Sequence, residues 1–164
     1  MPDARRNRSV TYHTLGVISD THGLLRPEAL KALTGSNYII HAGDVGDPAI
    51  LDELRKIAPV TAIRGNIDHG SWANALAETE VVEIAGKIFY VLHHRKQLDL
   101  NPNAAGFNAV IFGHSHQPLI EAVKNVLYFN PGSAGPRRFR LPITIGRITI
   151  ADEKLKPEII DLNI

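Results

Sequence analysis

The chain has 164 residues, 44% of them apolar and 21% charged, which fits one ordered domain and excludes wholesale disorder. Eighteen Lys and Arg against seventeen Asp and Glu leave a net charge of +1, too little to argue for a nucleic-acid or membrane partner. The absence of cysteine excludes disulfides, thiolate metal sites and cysteine nucleophiles, and no apolar run reaches the roughly 18–20 residues of a membrane span.

Residues 1–12 (MPDARRNRSVTY) carry three Arg and no periodicity. They read as a flexible arm or an expression remnant with no secretory signal, so a cytoplasmic protein is expected, with residues 13–164 forming one domain. Residues 15–18 (LGVI) read as a buried strand, and Pro27 opens a helix to about Leu33 that Gly35 closes. Residues 38–42 form a second apolar strand. A second helix starts at Pro48, with Ile50, Leu51, Leu54 and Ile57 at helical spacing, and residues 60–63 form a third strand. This alternation predicts a parallel sheet. Residues 80–84 and 87–92 around Ala85-Gly86 read as a hairpin. A short helical stretch over 96–105 leads to a strand at 109–112. Further strands at 118–123, 126–129, 143–150 and 155–160 make the tail mostly antiparallel. The predicted fold class is α/β, two packed mixed sheets flanked by helices.

Five of these strands end in polar residues. After the first come Asp20 and His22, after the second Asp44, after the third Asn66, after 87–92 His93, and after 109–112 His114 and His116. Ligands of open α/β sheets bind at the carboxyl ends of strands, so these ends can converge. In extended chain, residues i and i+2 face one side, which pairs Asp20 with His22 and His114 with His116. Gly43, Gly65 and Gly113 directly precede three of the polar residues and permit tight turns or close approach. Seven donors are too many for one tetrahedral ion and suit two ions sharing a carboxylate. Four imidazoles with two carboxylates and an amide favour manganese, iron, zinc, nickel or cobalt over calcium or magnesium, manganese first. Two divalent ions against two carboxylates leave a positive pocket suited to an anionic ester, and two-metal sites hydrolyse phosphoesters by in-line attack.

Asp20-x-His22, Gly43-Asp44-x-x-Asp47, Gly65-Asn66-x-Asp68, His93 and Gly113-His114-x-His116, in this order, resemble the calcineurin-like metallophosphoesterases. With Asn130-Pro131-Gly132-Ser133 following, the chain is most similar to their small bacterial and archaeal phosphodiesterase branch. The resemblance implies a four-layer α/β/β/α sandwich and a binuclear centre. It implies one ion on Asp20, His22, Asp44 and His116, and another on Asp44, Asn66, His93 and His114. Asp44 would bridge them, and a hydroxide between the ions would attack a small or nucleotide-like phosphodiester. It casts Asp44 and Asn66 as catalytic and Asp47 and Asp68 as carboxylates that orient ligands or loops; His41, inside an apolar strand, reads as a support for the ligands. Many relatives carry His after Gly-Asn, but Ile67 stands there and cannot protonate a leaving group. His94 is the candidate replacement acid, and Arg95 a candidate phosphate contact. Arg137, Arg138 and Arg140 read as a solvated face. The competing readings are a protein-interaction scaffold on this fold, as in the retromer subunit, and a phosphomonoesterase or protein phosphatase. A homo-oligomer is compatible with this reading; neither a membrane nor a specific nucleic-acid partner is expected.

Overall fold

A computed structural model describes residues 12–164, so the expected arm lies outside the described residues except for Tyr12, which is exposed. Strands β1 (His13–Ile18), β2 (Tyr38–His41) and β3 (Val60–Ala62) pair in parallel, linked by helices α1 (Pro27–Leu33) and α2 (Pro48–Arg55). Proline at the first turn of each helix occupies a position whose N–H needs no partner. A short helix α3 (Ser71–Asn74), not expected from the sequence, leads to the hairpin β4 (Thr79–Ile84) and β5 (Lys87–Leu92). Next come β6 (Ala109–Ile111), β7 (Leu119–Val123), β8 (Val126–Asn130), β9 (Thr144–Ala151) and β10 (Lys154–Asp161).

The strands form two five-stranded sheets, ordered β10-β9-β1-β2-β3 and β4-β5-β6-β8-β7. The second half of the chain is less antiparallel than its sequence suggests, because β5, β6 and β8 run parallel. The sheets pack face to face. Leu15, Val17, Ile40 and Ile63 from one meet Phe89, Val91, Ile111 and Phe129 from the other in the central core. Helices α1 and α2 cover the outer face of the first sheet through Ala29, Leu33, Ile50, Leu51 and Leu54.

The outer face of the second sheet departs from the expected helical layer. Leu98, Leu100 and Phe107 cover Tyr90, Leu92 and Phe112, but they lie in irregular chain outside any helix, and the helical part of this segment is a single 3₁₀ turn, Arg95–Gln97. Asn101, Pro102 and Asn103 are turn formers, and their backbone bonds to Ala105, Gly106 and Phe107 close turns instead of propagating a helix. Six parallel strands, β1, β2 and β3 in one sheet and β5, β6 and β8 in the other, thus carry loops at their carboxyl ends.

Candidate metal centre

Backbone hydrogen bonds continue between strands beyond their last residues and hold these loops in register. Asp20 N–H donates to Gly43 O (3.0 Å), His22 N–H to Asp44 O (2.9 Å) and Gly113 N–H to His93 O (3.0 Å). Two glycines make the approach possible. A Cβ on Gly65 would stand 2.1 Å from Asp44 Oδ1, and one on Gly113 would stand 2.6 Å from Asp20 Oδ2.

The side chains converge. Asp20 Oδ2 accepts from Ser19 Oγ (2.7 Å) and from His114 N–H (3.1 Å), which leaves Oδ1 facing the imidazoles. His116 Nε2 lies 3.4 Å, His22 Nε2 3.7 Å and His93 Nε2 3.8 Å from that oxygen. Asp44 Oδ2 sits 3.4 Å from His22 Nε2 and 3.2 Å from His93 Nε2, a position open to sharing, while its Oδ1 accepts from Ile67 N–H (3.1 Å). His93 Nδ1–H donates to the Ala42 carbonyl (2.7 Å), which turns Nε2 toward the carboxylates. The Asn66 amide lies 3.1 Å from His93 Nε2 and 3.2 Å from each Asp44 oxygen. Its NH₂ can donate to them without a metal, and a half-turn presents its oxygen to the same point.

Ligand atoms of Asp20, His22 and His116 form one compact group and those of Asp20, Asp44 and His93 another. His114 joins neither. Its ring meets His93 edge-on at 5.3 Å and stacks on His94 at 4.0 Å. Asp20, His22, Asp44, His114 and His116 all have positive φ, between 47° and 71°, a conformation that L-residues hold at a cost and that clusters at functional sites. Among the described residues, the buried side-chain polar atoms without a hydrogen-bond partner are Asp20 Oδ1, His22 Nε2 and both ring nitrogens of His116. Unpaired polar atoms of this kind, carboxylate oxygen and imidazole nitrogen mixed, fit divalent transition-metal ions.

Charge follows the geometry. Burial pushes the Asp20 carboxyl up, but His116, His22, His93 and Ser19 together hold it well below the usual carboxylate range. Burial likewise opposes ionisation of Asp44, and contact with His93 and the Ile67 N–H outweighs it. Burial lowers the His93 pKa, but contact with Asp44, the Asp20 charge and the Ala42 carbonyl together outweigh it, so the net shift is upward.

The family model for the calcineurin-like phosphoesterase superfamily domain matches residues 14–153. The chain belongs to this superfamily. A probable metallophosphoesterase of Methanocaldococcus jannaschii is 35% identical over 162 residues, spanning 90% of this chain and 81% of that one. A solved archaeal phosphodiesterase is 26% identical with a TM-score of 0.75, covering 90% of this chain and 99% of its own. Vacuolar protein sorting 29 from Cryptosporidium parvum has a TM-score of 0.73 over 90% of this chain and 96% of its own, and at 16% identity this is likeness of fold alone.

Further residues of this calcineurin-like phosphoesterase support the cluster from behind. His41 is buried. Gly43 N–H donates to its Nδ1 (3.2 Å), so its Nε2–H donates to Thr21 Oγ1 (3.0 Å), whose own hydroxyl donates to Val45 O (2.8 Å). Both ring nitrogens are occupied, so His41 ties the Asp20–His22 loop to the Asp44 loop without facing the cluster. Burial, the largest influence, pushes its pKa down to about 4 from 6.5. The unfolded chain therefore binds this proton more readily, and stability falls as pH drops through that window, by about 3 kcal/mol at its lower end. Urea midpoints between pH 7 and 4 should show this slope, flattened in His41→Gln; parallel slopes would contradict a neutral, buried His41.

Asp68 is also buried and accepts from Val45, Gly46 and Gly65 N–H, joining the Asp44 and Asn66 loops. Asp47 departs from the expected role. Its exposed carboxylate caps α2 through Ala49 N–H (2.9 Å) and touches no candidate ligand. Asp47→Ala should therefore cost about 1 kcal/mol in a denaturant melt, the usual loss for a helix cap.

Arg95 also departs from expectation. Its guanidinium pairs with Glu121 at 2.9 Å and lies 4.4 Å over the Tyr128 ring, on the outer face of the second sheet. Asn130 and Ser133, read as parts of a rigid loop, brace the site. Asn130 Nδ2 donates to Gly113 O and Ser115 Oγ, and Ser133 Oγ donates to Asp20 O. Arg64, which the sequence reading passed over, lines the cleft beside Asn66 and His93.

Proposed function

We propose that the chain is a metal-dependent phosphodiesterase acting on a small or nucleotide-like diester. The observation that carries this reading is the set of orphaned buried donor atoms on Asp20, His22 and His116 beside the paired Asp44 and His93. Asp20, His22, Asp44 and His116 would hold one ion, and Asp44, Asn66, His93 and His114 the other. When bound, such ions lower the pKa of water toward neutrality and polarise phosphoryl oxygens.

The chain's own residues do the rest. Asp20 and Asp44 supply negative charge that only partly offsets two divalent ions, so the pocket attracts an anionic ester. His94 Nδ1 accepts from Lys96 N–H (3.3 Å), which leaves the proton on Nε2 at the cleft. Burial, then His114, Lys96 and His93, push its pKa down, so at neutral pH it donates a hydrogen bond to a leaving oxygen and does not release a proton. Ile67 offers Asp44 its backbone N–H and has no acid on its side chain. Without a general acid, alkoxide leaving groups forgo the roughly 10²–10⁴-fold that proton transfer supplies, so they should react slower than nitrophenolate by at least that factor, as steady-state rates on matched diesters would show.

All seven candidate positions carry competent donors, a completeness that a pure scaffold does not need. Manganese added to stripped protein should restore hydrolysis of bis(p-nitrophenyl) phosphate, with the p-nitrophenyl monoester cut more slowly. Silence with manganese, iron, zinc, cobalt and nickel, or a strong monoester preference, would overturn the reading.

A further inference from the structure

The cleft lined by Asn66, His93 and His114 is also lined by Arg64, Glu78 and Gln97. Arg64 is the one Lys or Arg among the described residues there, and it directly precedes Gly65-Asn66 on the loop that presents the Asn66 amide. Its backbone N–H is fixed to Ala77 O at 2.9 Å, and its side chain is 28% exposed. One nitrogen, Nη2, donates to Glu78 Oε1 at 3.0 Å. Among the described residues the remaining guanidinium donors have no acceptor. Glu78 is 78% exposed, and pairs this open contribute little, so an anion of higher charge density can displace it. A guanidinium binds phosphate through two parallel N–H bonds, and Arg64 has the free donors to do so.

We propose that Arg64 forms an anion subsite beside the metal ligands, guarded by Glu78, that takes a second phosphate carried by the diester substrate. This rests on the phosphodiesterase reading and narrows it to diesters with a neighbouring phosphate. The scissile group occupies the histidine and aspartate cluster, and the second phosphate takes Glu78's place on the guanidinium. The two residues then act with opposite sign. Losing Arg64 removes the attraction, whereas neutralising Glu78 removes a competitor. An ion pair that merely braced the β3 loop would give both substitutions the same sign.

The test compares thymidine 5′-(p-nitrophenyl phosphate) with its 3′-phosphorylated analogue on the metal-loaded protein. The ratio of kcat/KM for the second over the first should be about tenfold, the order of one charge-assisted contact. It should fall toward one in Arg64→Ala, recover in part in Arg64→Lys and rise in Glu78→Gln. A calorimetric arm, independent of turnover, titrates thymidine 3′,5′-bisphosphate against thymidine 5′-phosphate and should show the same order. A ratio near one in the native chain, or both substitutions moving it the same way, overturns the subsite. Loss of turnover on both substrates with the bisphosphate preference intact would overturn the phosphodiesterase reading and leave the subsite standing.

Discussion

Asp44→Asn should lower manganese-dependent diester hydrolysis by at least about 10³-fold while the chain stays folded. Asp44 and Asp20 are the two carboxylates of the cluster, and Asp44 Oδ2 stands between His22 Nε2 and His93 Nε2 at 3.4 and 3.2 Å. Removing its charge halves the negative charge available to hold cations, and with them goes the shift of water's pKa from 15.7 to about 7 that metal catalysis depends on. Asparagine keeps the shape, and its oxygen can still accept from Ile67 N–H, which holds the loop. Steady-state kinetics with bis(p-nitrophenyl) phosphate, together with bound metal measured after dialysis, should show both falling. Native activity in this variant would remove Asp44 from the mechanism.

Asp68→Ala should be the most destabilising of the polar substitutions discussed, by about 3–5 kcal/mol. Asp68 is 3% exposed, and its carboxylate accepts three backbone N–H groups, from Val45 (3.2 Å), Gly46 (2.9 Å) and Gly65 (2.9 Å). Each buried donor left unpaired costs about 1–3 kcal/mol, and entering water recovers part of that. For a chain of this length each kcal/mol lowers Tm by about 2–4 °C, so thermal melts of the metal-free protein should drop by about 6–20 °C. Asp68→Asn should fall in between, because its oxygen still accepts while its NH₂ faces donors. A drop no larger than that of the Asp47→Ala cap variant would contradict the role given to Asp68.

The parallel strands β1 and β2 were legible because strands covered on both faces read as unbroken apolar runs, here Leu15 to Ile18 and Tyr38 to Ile40. Pro27 and Pro48 marked both helix starts. The segment at 96–105 misled because Leu98 and Leu100 pack on the sheet much as a helix face would, although Asn101-Pro102-Asn103 closes turns. The candidate site was read from the positions of its residues at strand ends. The left-handed backbone of Asp20, His22 and Asp44 was not legible, since none is a glycine. Arg95 was misread because chain distance does not report rotation about the strand; two residues past His93 its side chain meets Glu121 on β7. Arg64 went unnoticed because an arginine at a strand end looks solvated until Asn66, Glu78 and Gln97 are seen around the same cleft.

Crystals soaked in manganese and measured at its absorption edge give the most direct test. The account predicts two anomalous peaks, one among Asp20, His22 and His116 and one beside Asp44, His93 and Asn66, each within about 2–2.3 Å of a side-chain nitrogen or oxygen. Peaks only at surface carboxylates such as Glu53 or Asp161, with these side chains still in contact with one another, would contradict it.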